Sequence, residues 1–166
     1  MTASLPASFS KTRTALIKET KERIATAMDT DVLIIQTLST IDDLTVQLNG
    51  LAKRLREWHA YILPELDHAI SDHEAYVRLI TTRSLDALHK EFAPAASMGG
   101  KASNEDYHMV KAFAAQIHVL YELKASMTSY LDSLMSKQYP NLTVLLGPVI
   151  AARLLTIAGS GRRLAT

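Results

Sequence analysis

Residues 34–62 read IIQTLSTIDDLTVQLNGLAKRLREWHAYI, and the spacing of their apolar side chains decides the fold. Ile34, Leu38, Ile41, Thr45, Leu48, Ala52, Leu55, His59 and Ile62 recur at alternating intervals of three and four residues. That is the period of one face of an α-helix, not the two-residue alternation of a strand. Leu44, Leu51 and Trp58 widen the stripe, so the stretch reads as one long helix with a single apolar face and with Trp58 as a core residue. Asn49-Gly50 would signal a hairpin between strands, but inside so regular a pattern it reads as a glycine tolerated within the helix. No run elsewhere alternates with β-branched enrichment, so the fold class is all-α.

On the C-terminal side, Pro64 lacks a backbone donor and disfavours helix at Leu63, which predicts a break there. A second helix is expected from Pro64 or Glu65 to about Phe92, with Glu65 and Asp67 at its positive end and a stripe of Leu66, Ile70, His73, Val77, Ile80, Ser84 and Ala87 or Leu88. Pro94, Gly99 and Gly100 define a loop, and Ser103-Asn104-Glu105-Asp106 is a capping pattern for the next helix. That helix repeats Val110, Phe113, Ile117, Leu120, Lys124, Met127, Leu131 and Leu134 at heptad spacing. Two such stripes joined by a short loop make an antiparallel coiled-coil hairpin, in which Lys124 either sets register or lays its stem over apolar neighbours. Tyr139-Pro140-Asn141 ends the hairpin, and a further helix opens near Gly147-Pro148, carries Val149, Ala152, Arg153 and Leu154, and stops at Gly159. The expected organisation is an N-terminal helical segment at 1–28, the hairpin at 29–139 and a small helical lobe at 140–166.

With 18 basic and 17 acidic side chains the net charge is +1, which excludes a protein that coats nucleic acid with its whole surface. The charge is uneven, because no acidic residue follows Asp132 while Lys137, Arg153, Arg162 and Arg163 do. Any RNA contact is therefore expected at this basic end. The absence of cysteine excludes disulfides and thiolate metal sites and suits a reducing interior. MTASLPASFSK at the N-terminus carries no apolar stretch of signal-peptide length, and no apolar run is long enough for a bilayer span, so a soluble, intracellular protein is expected.

Two Glu-x-x-His segments, Glu65 to His68 and Glu105 to His108, have the spacing used in bundle metal sites. In an antiparallel hairpin they fall at opposite ends, so neither a metal nor another cofactor is expected. Gly159-Ser160-Gly161 lacks the spacing of a nucleophile elbow or a phosphate loop, and no catalytic residue is assigned. His73 reads as a packing or interface histidine.

Arg54-Leu55-Arg56-Glu57-Trp58, then Pro64-Glu65-Leu66, then the small-residue loop Ala96-Ser97-Met98-Gly99, and finally PNLTVLLGPVIAARLLTIAGSGRRLA over Pro140–Ala165 stand in one order. This series resembles the Nop-domain family, the scaffold proteins of box C/D guide ribonucleoproteins, over roughly Asp29 to Ala165. Arg153 sits on the family's Gly-Ala-Arg-Leu pattern, whereas Ala151 stands where the family usually has glycine, His59 where it has tyrosine and Gly161 where it has leucine. The resemblance implies a non-enzymatic scaffold with no cofactor. In such a scaffold the hairpin pairs two copies, and a C-terminal helical domain grips guide RNA at a kink-turn already bound by its primary protein. Methyl transfer belongs to a fibrillarin-type enzyme, held by a domain expected to lie outside this sequence. On this reading the pairing residues are Val77, Ile80, Val110, Phe113, Ile117, Leu120, Met127 and Leu131, and the RNA-contacting ones are Lys137, Arg153, Arg162 and Arg163. The implied location is the cytoplasm of an archaeal cell, or the nucleolus or nucleus of a eukaryotic one. A splicing-type Nop protein and a generic helical dimerisation adaptor unrelated to RNA are the alternative readings.

Overall fold

The computed structural model describes residues 7–26, 30–93 and 95–165. The remaining parts of the 1–28 segment, Asp29 and the loop residue Pro94 lie outside the described residues. Every regular element among the described residues is helical: α1 (Ala7–Thr26), α2 (Thr30–Ala60), α3 (Pro64–Ala69), α4 (His73–Thr82), α5 (Leu85–Phe92), α6 (Asn104–Gln138), α7 (Pro140–Leu146), α8 (Pro148–Ala158) and α9 (Gly161–Leu164). The chain divides into two compact units, one of residues 37–132 and one of the residues up to Gln36 together with those from Ser133.

In the 37–132 unit, the stripe read from the sequence is the buried face of α2. Leu48, Ala52, Leu55 and His59 are fully or almost fully buried, and α2 continues unbroken through Gly50. The core joins these α2 residues to Leu63, Leu66, Tyr76, Val77, Ile80 and Leu88 from α3–α5 and their connections, and to Val110, Ala114 and Ile117 of α6. Trp58 is not part of that core. It is 43% exposed, because it lies one residue before His59 at the edge of the stripe, and it rests its ring 6.3 Å from that of Phe113.

The helix expected over 64–92 is broken into three. Asp72 accepts from the Ala75 N–H at 2.7 Å and Ser84 from the Ala87 N–H at 3.3 Å, so each starts a new helix by capping it. The end of α3 is closed from outside, as the Arg56 guanidinium donates to the carbonyls of Asp67 at 2.9 Å and Ile70 at 2.5 Å. The 64–92 stretch is therefore three short helices between α2 and α6, and its Val77, Ile80 and Leu88 share the core with Val110, Ala114 and Ile117 of α6 and with α2. Within the 37–132 unit, Trp58 and His59 near the end of α2 meet Phe113 and Tyr107 near the start of α6, and within the other unit Asp31 in the first turn of α2 meets Tyr139 just beyond the end of α6.

The capping expected at Ser103 is present in reciprocal form. Its Oγ accepts from the Asp106 N–H at 3.1 Å, and the Asp106 carboxylate accepts from the Ser103 N–H at 3.3 Å. In the other unit, α8 starts at Pro148 and ends at Gly159, as the sequence predicts. Gly147 (φ 77°) and Gly159 (φ 81°) adopt left-handed backbone that a side chain would strain, and they set the turns before and after α8. All described side chains of α1 from Thr12 to Arg23 are exposed, with i,i+4 ion pairs such as Glu19–Arg23 at 2.8 Å along its surface.

Candidate functional site

Two surfaces hold the residues singled out from the sequence, one in each unit. In the 37–132 unit the eight expected pairing residues separate into two groups. Val77, Ile80, Val110, Ile117 and Leu131 are fully buried inside the chain, so they already serve its own core. Phe113, Leu120 and Met127 are half-buried. They recur every seven residues on α6, and Leu44, Leu51 and Trp58 recur at the same interval on α2. Trp58 and Phe113 are in ring contact, and Leu51, Phe113 and Leu120 pack against the core with part of their surface open. The two rows form a half-open apolar band about 21 Å long at the rise of an α-helix. Val119, Leu123 and Tyr130 extend it on α6, exposed by 53%, 46% and 45%. Heptad spacing alone could not separate the row facing inward from the row beside it.

The band is backed by a polar cluster. His59 Nδ1 lies 3.0 Å from the Tyr76 hydroxyl, and the imidazole and phenol rings meet edge to face. The Arg56 guanidinium stacks 4.4 Å from the centre of the Tyr76 ring and pairs with Asp67 at 2.7 Å. Burial pushes the His59 imidazole down to about 4, with His89 adding to the effect and Asp67 opposing it, so the ring is neutral at neutral pH. Burial raises the Tyr76 phenol above its ordinary value, and Asp67 adds to this while Arg56 works against it. These contacts fix the short α3 and α4 against α2.

Glu65 is engaged within the chain. Its carboxylate accepts from the Met98 N–H at 2.7 Å and the Ser97 hydroxyl at 2.9 Å, and the Met98 contact is the main reason its pKa lies below the usual carboxylate range. Among the described residues no three His, Asp or Glu side chains are placed to share an ion. The small-residue loop thus clips onto the start of α3. A Cβ on Gly99 would fall 1.9 Å from the Ile62 carbonyl oxygen, so only glycine fits this approach.

In the second unit the four basic residues are all exposed. Arg153 lies on α8, Arg162 and Arg163 on α9, and Lys137 in the last turn of α6. α9 packs on α8, which sets Arg162 and Arg163 beside the helix that carries Arg153. Around them the sequence gives no warning of how much apolar surface is open: Val144 is 86% exposed, Leu145 78%, Ile150 57% and Ile157 83%. Asp31, only 7% exposed, had no assigned role, yet its carboxylate accepts from both the Tyr139 hydroxyl and the Gly161 N–H. Among the described residues no single helix is long and apolar enough to cross a membrane.

The sequence of this chain has counterparts in known proteins. The sequence model of the family described as "Nop: snoRNA binding domain, fibrillarin" matches residues 40–166. The chain belongs to the Nop family. Among Nop relatives, an uncharacterised NOP5 family protein of Methanocaldococcus jannaschii is 39% identical over 155 residues, covering 84% of this chain and 37% of that protein. Nucleolar protein 58 of Botryotinia fuckeliana is 34% identical over 151 residues, covering 81% of this chain and 27% of the relative. Nucleolar protein 58 of Schizosaccharomyces pombe is also 34% identical over 151 residues, covering 81% of this chain and 30% of the relative. This Nop chain therefore spans well under half the length of the curated relatives it matches.

Proposed function

We propose that this chain is a non-enzymatic scaffold of a box C/D guide ribonucleoprotein, whose α2–α6 hairpin pairs with a second copy and whose basic end contacts guide RNA. The family match over residues 40–166 carries the reading. The apolar band supports the pairing step. Side chains of this kind contribute roughly 1.5–3 kcal/mol each when fully removed from water, against an association cost of about 4–15 kcal/mol, so a band with six half-open members and their exposed neighbours is of sufficient size. The pairing residues on this reading are Phe113, Leu120 and Met127 with Leu44, Leu51 and Trp58, while Val77, Ile80, Val110, Ile117 and Leu131 support them from inside.

Lys137, Arg153, Arg162 and Arg163 are assigned to the phosphate backbone of RNA. Four cations make few phosphate contacts, so affinity is weak, strongly salt-dependent and little sensitive to sequence. The RNA is presented by its kink-turn-binding protein, and methyl transfer belongs to a fibrillarin-type partner brought into the same particle. The protein then resides where that particle is assembled: the nucleolus in a eukaryotic cell, the cytoplasm in an archaeal one.

The test is a titration of this chain against a box C/D kink-turn RNA carrying its primary protein, alone and with Arg153, Arg162 and Arg163 changed to Ala. The reading expects binding that weakens on substitution and on adding salt. Binding indifferent to both overturns the RNA role.

A further inference from the structure

The hydrogen bonds of Asp31 join parts of the sequence that lie far apart. From the first turn of α2, one carboxylate oxygen accepts from the hydroxyl of Tyr139, at the α6–α7 junction, at 2.5 Å. The other accepts from the Gly161 N–H, at the first position of α9, at 2.9 Å. The side chain is almost wholly buried, and both of its oxygens are engaged. An ionised acceptor of this kind makes a stronger bond than a neutral one and is costly to leave without its donors.

Gly161 completes the arrangement by what it lacks. A Cβ there would fall 2.1 Å from the Tyr139 hydroxyl oxygen and 2.8 and 2.9 Å from Cζ and Cε1 of the ring. The phenol occupies the space that any side chain at 161 would need. Any side chain at 161 is thus incompatible with Tyr139 in this pose, and the glycine and the tyrosine form a matched pair. Ser160 adds a second tie, since its Oγ accepts from the Arg163 N–H at 3.3 Å. The turn that begins α9 is therefore held from two sides.

We propose that Asp31 and Tyr139 are positioning residues for RNA: they fix the start of α9 so that Arg162 and Arg163 are presented to phosphates in one orientation. This rests on the RNA-contacting reading of the basic end. A four-residue helix has little stability of its own, and isolated helices this short do not persist in water. Without the clamp, ordering of α9 would have to occur on binding and would weaken affinity.

The sign of the effect separates positioning from plain electrostatics. The Asp31 carboxylate opposes the nearby arginines as a charge, so removing it should tighten RNA binding if charge is all that matters. Positioning requires the opposite.

The experiment measures the Kd for a box C/D kink-turn RNA with its primary protein, using the whole chain and the variants Asp31→Asn and Tyr139→Phe. Each variant is also made in an Arg162→Ala/Arg163→Ala background, and circular dichroism melting refers every affinity to folded protein. The expected result is about tenfold weaker binding for each single variant, the loss of one strong hydrogen bond, with little further loss once both arginines are gone. Tighter binding by Asp31→Asn, unchanged binding by Tyr139→Phe, or equal losses in both backgrounds would each overturn the clamp. If removing both arginines leaves the Kd unchanged, the basic-end reading itself fails, an outcome distinct from failure of the clamp alone.

Discussion

The 37–132 unit and the helices from α7 to α9 use apolar residues in opposite ways. In the first, Leu48, Leu55, Leu63, Leu66, Ile80, Leu88 and Ile117 are each 1% exposed or less. In the second, Val144, Leu145, Ile150 and Ile157 are more than half exposed and stand among arginines. The first region uses most of its large aliphatic side chains for its own core and leaves a shallow band along α6 and α2 half open. The second has a thin core of Ala151, Ala152 and Leu155 and presents its remaining apolar and basic groups outward.

Substitutions should make that contrast measurable. Leu55→Ala, at a fully buried position, is expected to lose about 2–5 kcal/mol in urea unfolding, whereas Ile157→Ser on the open face of α8 should stay within about 0.5 kcal/mol of the parent. Equal costs would break the comparison.

Acid should act on the hairpin first. His59 titrates near 6.5 when unfolded and near 4 when folded, so the unfolded state takes up a proton that the folded state refuses. Its contribution is fully present above pH 6.5, declines as pH falls, and is exhausted near pH 4, with a total on the order of 3 kcal/mol. In His59→Gln, urea midpoints measured from pH 7 to pH 4 should lose most of this slope. A slope unchanged by the substitution would place the acid sensitivity elsewhere.

The smallest expected effect is a gain. A Cβ at Gly50 meets nothing within 4 Å and the helix passes straight through it, so Gly50→Ala should raise stability by about 0.5–1 kcal/mol. A loss would mean that α2 needs its glycine for something other than helix formation.

Much of this was legible in the sequence, for local reasons. The buried face of α2 follows directly from its spacing, and the starts and stops at Ser103, Pro148 and Gly159 rest on capping chemistry confined to a few neighbouring residues. The breaks within 64–92 were harder, because Asp72 and Ser84 are tolerated inside helices and cap only where the chain can turn. The closing of α3 depends on Arg56, from a different helix, and no local pattern announces it. Trp58 was misplaced because residues at the edge and the centre of a stripe share the same period. The basic side chains could be named in advance. The Asp31 carboxylate that ties down α9 could not, because its partners lie 108 and 130 residues away.

The central claim, that the half-open band pairs two copies, is tested most directly by light scattering of the whole chain beside a Leu51→Asp/Leu120→Asp variant. The account predicts twice the 18.3 kDa chain mass for the parent and a single chain mass for the folded variant. A parent that stays at one chain mass at high concentration, or a dimer that survives both substitutions, would contradict it.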